Sequence, residues 1–317
     1  MKVFKKSLSI MLSVMMLLAM FAIAPVSASA QTTGTTVTLG SGTMLDLKTE
    51  NGTNYYSLDN GSSYTEYTGD LTVLCDLPNP TQIYGNGPTI NVHNGTHNII
   101  FNNTVLGGPD TANGSSPFII NNGATVNLTL YGTNKIWCDE IRCSGITLYP
   151  FGKLVITEES TGNLTVDSGY RAPGIGGLSK KQSGTFIVNG GTITAYGSDY
   201  CSAIGGGENG DNGTFEMNGG TVYAYGGHDG AGIGGGSRGD GGNITITGGT
   251  IYAYGGSGAA GIGGGYCGLS GDINISGGVI TAVGGSDCDG IGCGKTYNAT
   301  PTVNITGGVI NGVDYNN

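Results

Sequence analysis

A strict long-period register constrains this chain more than any other feature. Ile175, Ile204, Ile233, Ile262 and Ile291 recur at a constant spacing of 29, four of them in G-I-G and Ile204 in A-I-G. The pairs Gly190-Gly191, Gly219-Gly220, Gly248-Gly249, Gly277-Gly278 and Gly307-Gly308 keep the same step, with a single spacing of 30 at the end. With 63 glycines and 9 prolines among 317 residues, composition alone leans toward low-complexity disorder. A disordered linker has no reason to hold a register, so the period decides for a repeat architecture. The register reaches back to Ile146, and TGNLTV (Thr161–Val166) lies one full period before GGTITA. At least six units are therefore present, the first degenerate.

Each unit carries two alternating runs around the G-G pair, as in NITITGGTIYAYGG. Alternation with period 2 means strands with one buried face. Before the turn, one apolar column holds Phe186, Phe215, Ile244, Ile273 and Val303, and another Val188, Met217, Ile246, Ile275 and Ile305. After it, Ile193, Val222, Ile251 and Ile280 form a third, and Ala195, Ala224, Ala253 and Ala282 a fourth. One unit cannot bury such a face alone, whereas stacked copies make a continuous core. The expected fold is all-β: a right-handed parallel β-helix, a β-solenoid with about 29 residues per coil and a rise of ~4.8 Å per coil.

The expected boundaries follow. Residues 1–30 read as a bacterial secretory signal, with Lys2, Lys5 and Lys6 before an apolar run and Ala28-Ser29-Ala30 at the cleavage site. Residues 31–87 read as an N-terminal cap with irregular β coils, and 88–317 as the β-helix, regular from about residue 146. Cleavage removes three of 12 basic residues; the remaining nine face 22 acidic ones, a net charge of −13. Such a chain is a poor partner for nucleic acid or anionic lipid, and no apolar run after residue 30 approaches the ~20 residues of a membrane span. The expected location is extracellular or loosely attached to the cell surface.

Export permits disulfides, and seven cysteines, an odd number, leave at least one thiol unpaired within the chain. Cys138 with Cys143, Cys288 with Cys293, and Cys267 with Cys293 are all compatible with the coil spacing. Cys143 and Cys201 lie two coils apart, beyond the ~7 Å reach of a disulfide.

Several phrases resemble a family of secreted bacterial glycine-rich repeat β-helix proteins, of the type described as containing carbohydrate-binding domains. They are NNGATVNLTLYG (Asn121–Gly132), GITLYPFGKLVITEESTGNLTV (Gly145–Val166) and the GTIxAYGG…AGIGGG units, together spanning roughly residues 88–312. The resemblance implies a degenerate first coil, a transition coil and then near-identical repeats. It carries no catalytic motif, and the scattered cysteines depart from it.

Outward positions after the G-G turn hold Thr194, Tyr223, Tyr252 and Thr281 in one column and Tyr196, Tyr225, Tyr254 and Val283 in the next. Stacked coils would bring these tyrosines together as an aromatic patch, either a platform for sugar rings or a ladder of rings packed on one another. Asp211, Asp240, Asp287 and Asp289 are candidate ligands for Ca²⁺, although their columns are discontinuous and the cation needs six to eight oxygens; otherwise no cofactor is expected. Asp287 and Asp289, two apart on a strand, would share a face and form the best acid pair for catalysis. His93, His97 and His228 fall outside any recurring pattern.

The sequence therefore supports a secreted, non-catalytic protein that binds polysaccharide or a cell-surface glycan through Tyr196, Tyr223, Tyr225, Tyr252 and Tyr254. The alternatives are a structural or adhesive surface protein recognising a host or neighbouring protein, and a β-helix polysaccharide lyase or glycoside hydrolase.

Overall fold

A computed structural model describes residues 34–75, 87–108, 116–295 and 300–314. The signal-segment reading of residues 1–30 lies outside the described residues, as does part of the 31–87 region. The fold is an all-β parallel solenoid of about eight turns with roughly 29 residues per coil. Its strands form a 17-stranded sheet and an 11-stranded sheet; the ladders before and after the G-G turn join in the larger one through Asp272–Val283, which pairs with both.

Each regular coil has three faces. The first carries the strand before the G-G turn, such as Lys153–Ile156, Thr185–Val188, Thr214–Met217 and Asn243–Ile246. The second carries the strand after it, such as Asn163–Asp167, Thr192–Tyr196, Thr221–Tyr225 and Thr250–Tyr254. The third is the short isoleucine strand, where Ile146, Ile175, Ile204, Ile233, Ile262 and Ile291 pair in unbroken parallel register. One sequence period returns each position to the same place on the next coil. Asn218 thus meets Asn189, and Thr247 meets Asn218, through side-chain hydrogen bonds at 2.9 and 2.7 Å.

The four apolar columns point inward. In one coil Ile244, Ile246, Ile251, Ala253 and Ile262 are all fully buried. Every such isoleucine contributes roughly 1.5–3 kcal/mol relative to exposure, and none can be sealed from water without the coils above and below. Phe186 and Phe215 meet with ring centroids 5.9 Å apart, so the phenylalanine column packs as aromatics rather than as isolated plugs.

The glycines act at two kinds of place. Gly220 turns the corner between the first and second faces with φ +75°. Gly205, on the third face, has φ +129°, and a Cβ there would lie 2.1 Å from the Gly234 carbonyl oxygen. The third face is thus built by backbone lying on backbone. A further corner, four positions before each isoleucine, is left-handed without needing glycine: Arg142, Arg171, Tyr200, Asp229 and Asp287 have φ between 59° and 68°, and Gly258 fills the one remaining coil. Half of that column is Asp or Gly, from which left-handed geometry is ordinarily read, and half is Arg or Tyr, which carry no such signal.

The last coils depart from the repeat. Asp272–Val283 runs through its G-G pair as one 12-residue strand; it pairs with Thr302–Ile310 at a spacing of 30 from its first residue, with a local irregularity at Ser276. The chain then reverses at Asn311-Gly312, with φ 47° and 83°, and Val313–Asp314 pairs antiparallel with Val309–Ile310. A two-residue Asn-Gly loop is the hairpin turn whose twist matches the strands. Asn311 also binds the Ala282 backbone at both N–H and carbonyl, 3.0 and 3.1 Å. This hairpin covers the last two residues of Thr302–Ile310.

At the other end, Thr35–Leu39 and Leu71–Cys75 already lie in parallel register on the first face, and Met44–Glu50 joins the third. From Met44–Glu50 an antiparallel meander extends through Thr53–Ser57 and Thr65–Tyr67. Tyr67 pins it: its hydroxyl meets Nδ1 of buried His97, whose Nε2 lies 2.8 Å from the Asn94 carbonyl.

Candidate functional site

The second face arranges its outward side chains in columns. Thr194, Tyr223, Tyr252 and Thr281 pair across successive strands, as do Tyr196, Tyr225, Tyr254 and Val283. Beside them run Thr192, Thr221 and Thr250. The tyrosine rings are stacked and nearly parallel. Centroids lie 4.9 Å apart at 6° for Tyr223–Tyr252, 5.1 Å at 11° for Tyr196–Tyr225, and 5.3 Å at 3° for Tyr225–Tyr254.

This geometry changes what the face offers. The rings cover one another's flat sides, which stabilises each pair by about 0.5–1.5 kcal/mol beyond area burial. What remains accessible is a row of ring edges and hydroxyls, one or two per coil. Tyr196, at the head of its stack, is 42% exposed; the other four are half-buried. Among the described residues no hydrogen bond uses any of the five phenol hydroxyls. Burial, with the neighbouring phenols Tyr196, Tyr254 and Tyr223, raises the Tyr225 pKa above its ordinary value, so its hydroxyl keeps its proton and remains a donor near neutral pH.

Two columns extend further toward the N-terminus than the sequence pattern suggests. Asp167 pairs with Tyr196 and Thr165 with Thr194. Lys135 pairs with Thr165, and Trp137, one residue past the Ile136–Val166 pair, heads the tyrosine column. Trp137 is the chain's single tryptophan. Lys135 binds Asp167 at 3.1 Å and lies 5.4 Å from the Trp137 ring centroid. Sequence reasoning missed this end because the strand Thr133–Cys138 lacks the G-G signature. It also breaks the period: Thr133 pairs with Asn163, a spacing of 30 in place of 29. The lone tryptophan in a strand was the available signal.

The acidic candidates have other partners. Asp211 Oδ1 accepts the Asp240 backbone N–H at 2.9 Å, and Asp240 Oδ1 accepts that of Leu269 at 2.7 Å, so each carboxylate ties its loop to the next coil. Asp287 and Asp289 do not lie on a strand. The strand ends at Val283; Asp287 occupies a left-handed turn, is largely exposed, and meets Lys295 at 3.2 Å. The alternation in SDCD looks like a strand, but Gly284-Gly285 ends the ladder before it. Among the described residues no three His, Cys, Asp or Glu side chains gather as metal ligands.

Of the cysteine pairings, Cys138–Cys143 forms. Cys288, Cys293 and Cys267 remain thiols, as do Cys75 and Cys201, whose pKa values burial pushes up to about 11 and about 12. His93 contacts the buried Asp46 at 3.0 Å, and His228 its neighbour Asp229 at 3.3 Å. On the first face, a depression of ≈ 360 Å³ between Asp70, Asn127, Tyr131 and Glu159 is a feature that the sequence did not single out.

The family described as Beta helix repeat matches residues 187–208, 216–237, 244–266 and 273–295. Each match runs from within a first-face strand, through the tyrosine-bearing strand or its equivalent, to just past the isoleucine strand. The chain carries β-helix repeats in these segments, folded as a parallel solenoid. No curated protein and no solved structure matches it. The matched segments contain all five tyrosines, so the repeat builds the candidate face directly.

Proposed function

We propose that this β-helix repeat protein is a secreted, non-catalytic binder of polysaccharide or cell-surface glycan, acting through the tyrosine-bearing second face. One observation carries the reading: five accessible tyrosines and a flanking threonine column stand in register, with phenol hydroxyls that no described protein group uses. A periodic row of hydroxyl donors and apolar ring edges is chemically suited to a polymer of hydroxylated rings. Stacking alone accounts for the aromatic rings, but phenylalanine would serve a stack equally well. The export expectation from residues 1–30 supports the reading, since such polymers lie outside the cell.

The test is a glycan array with the mature chain and the double variant Tyr223→Thr/Tyr252→Thr. Threonine already occupies that column at Thr194 and Thr281, so the variant keeps the coil. Binding by the native chain, reduced at least tenfold in the variant, is the expected result. Equal binding by both, or by neither, removes the proposal. Capture that persists under glycan competition and requires protein would favour an adhesive role instead.

A further inference from the structure

Resting on the tyrosine-face reading, the columns also point to which glycan. We infer that the face binds a neutral, extended β-1,4-linked polysaccharide lying parallel to the solenoid axis, one sugar per coil. The argument begins from spacing. Parallel coils repeat at the strand separation of ~4.8 Å, and the tyrosine rings repeat at 4.9, 5.1 and 5.3 Å. A β-1,4-linked pyranose chain in its extended form advances by nearly this distance per sugar, since both bonds at each ring are equatorial. An α-1,4-linked chain leaves through an axial bond and coils, and a β-1,3-linked chain winds into a helix; neither stays in step with a straight ladder.

Orientation follows from the stacks. Because the parallel rings of one column follow one another coil by coil, a ligand in step with them lies along the solenoid axis. A chain crossing the coils would meet only two tyrosines, as at Tyr223 and Tyr225 of one strand. A chain along the axis meets Tyr196, Tyr225 and Tyr254 in one column, with Tyr223 and Tyr252 alongside.

Charge selects the class. From Thr165 and Tyr196 onward both columns are uncharged. The one carboxylate at their head, Asp167, is paired with Lys135. A uronic or sulfated polymer would find no free cation on this strip, and would approach a chain of net charge −10. Trp137 sets the length: from its position to Tyr254 there are four coil steps, roughly 19 Å at the strand spacing, enough for about five sugars.

The experiment is calorimetric titration of the native protein with cello-oligosaccharides of two to seven sugars, beside malto- and laminari-oligosaccharides of equal length. Affinity for the β-1,4 series should rise roughly two- to tenfold per added sugar, the worth of one net hydrogen bond, and level off near five. Tyr225→Val, which copies Val283 in the same column, should flatten that rise while leaving the circular dichroism spectrum unchanged. Equal affinity for the α-1,4 or β-1,3 series, or no dependence on length, overturns the axial β-1,4 inference and leaves glycan binding at the face standing. Binding that Tyr225→Val leaves unchanged overturns both, and no binding to any of these three series overturns the β-1,4 inference alone.

Discussion

Gly205 shows how far a single residue is held by the next coil. Its φ of +129° is one that L side chains rarely adopt, and the space for a Cβ is taken by the Gly234 carbonyl. Gly123 has a positive φ as well, +79°, yet nothing lies within 4 Å of its Cβ position. The two separate conformational cost from steric cost. Gly123→Ala should destabilise by about 1 kcal/mol, the order of a left-handed alanine. Gly205→Ala should cost more, because the backbone of two coils must part. Urea unfolding of the two variants measures the difference, and equal losses would show that the close stacking of the third face is not what requires glycine there. Tyrosine at the ladder positions is a different matter. Thr194, Thr281 and Val283 occupy the same columns, so the coil does not demand an aromatic ring where Tyr223 and Tyr225 stand.

At the scale of the strand, what was legible depended on whether period and alternation agreed. The columns of Ile193, Val222, Ile251 and Ile280 and of their alanine neighbours could be read because both signals pointed inward together. Trp137 could not be placed, since one extra residue before Asp167 breaks the period. The orientation of the tyrosine rings was also out of reach: stacking depends on side-chain rotation, which a pattern of outward positions does not contain. Asp287 and Asp289 failed for the opposite reason, alternating in sequence where no ladder exists. The bridge Cys138–Cys143 fastens the strand that bears Trp137 to the loop before Ile146. Its loop is short, so the chain-entropy contribution is about 2 kcal/mol. Replacing both cysteines with serine should lower stability by no more than that and shift the emission of Trp137, the chain's sole tryptophan. Unchanged emission and stability would mean that the bridge does not hold this end of the face.

Across the whole molecule, the coil is the unit of both stability and recognition. Each coil contacts its two neighbours, so the total approximates a sum of coil and interface contributions. Removing residues 219–247, one full period, joins Asn218 to Gly248 and leaves every inward column in register: Met217 is followed by Ile251, Ala253 and Ile262. The shortened chain should fold, with unchanged circular dichroism per residue and a urea m-value reduced in proportion to the lost surface. Removing residues 219–246 instead, one residue fewer, puts Thr247 before the turn and shifts the following strands out of step. A one-residue slip turns a strand's apolar set to the wrong face, so this variant should unfold at much lower urea, or fail to fold. Indistinguishable behaviour of the two deletions would refute the period as the organising constraint. The first deletion also bears on the ligand. It removes Tyr223 and Tyr225 together and places Tyr254 next to Tyr196, so the ladder persists but is one step shorter. If sugars follow coils one for one, the length at which oligosaccharide affinity levels off should fall by one sugar. A plateau that stays where it was would separate the repeat that builds the fold from the repeat that reads the glycan.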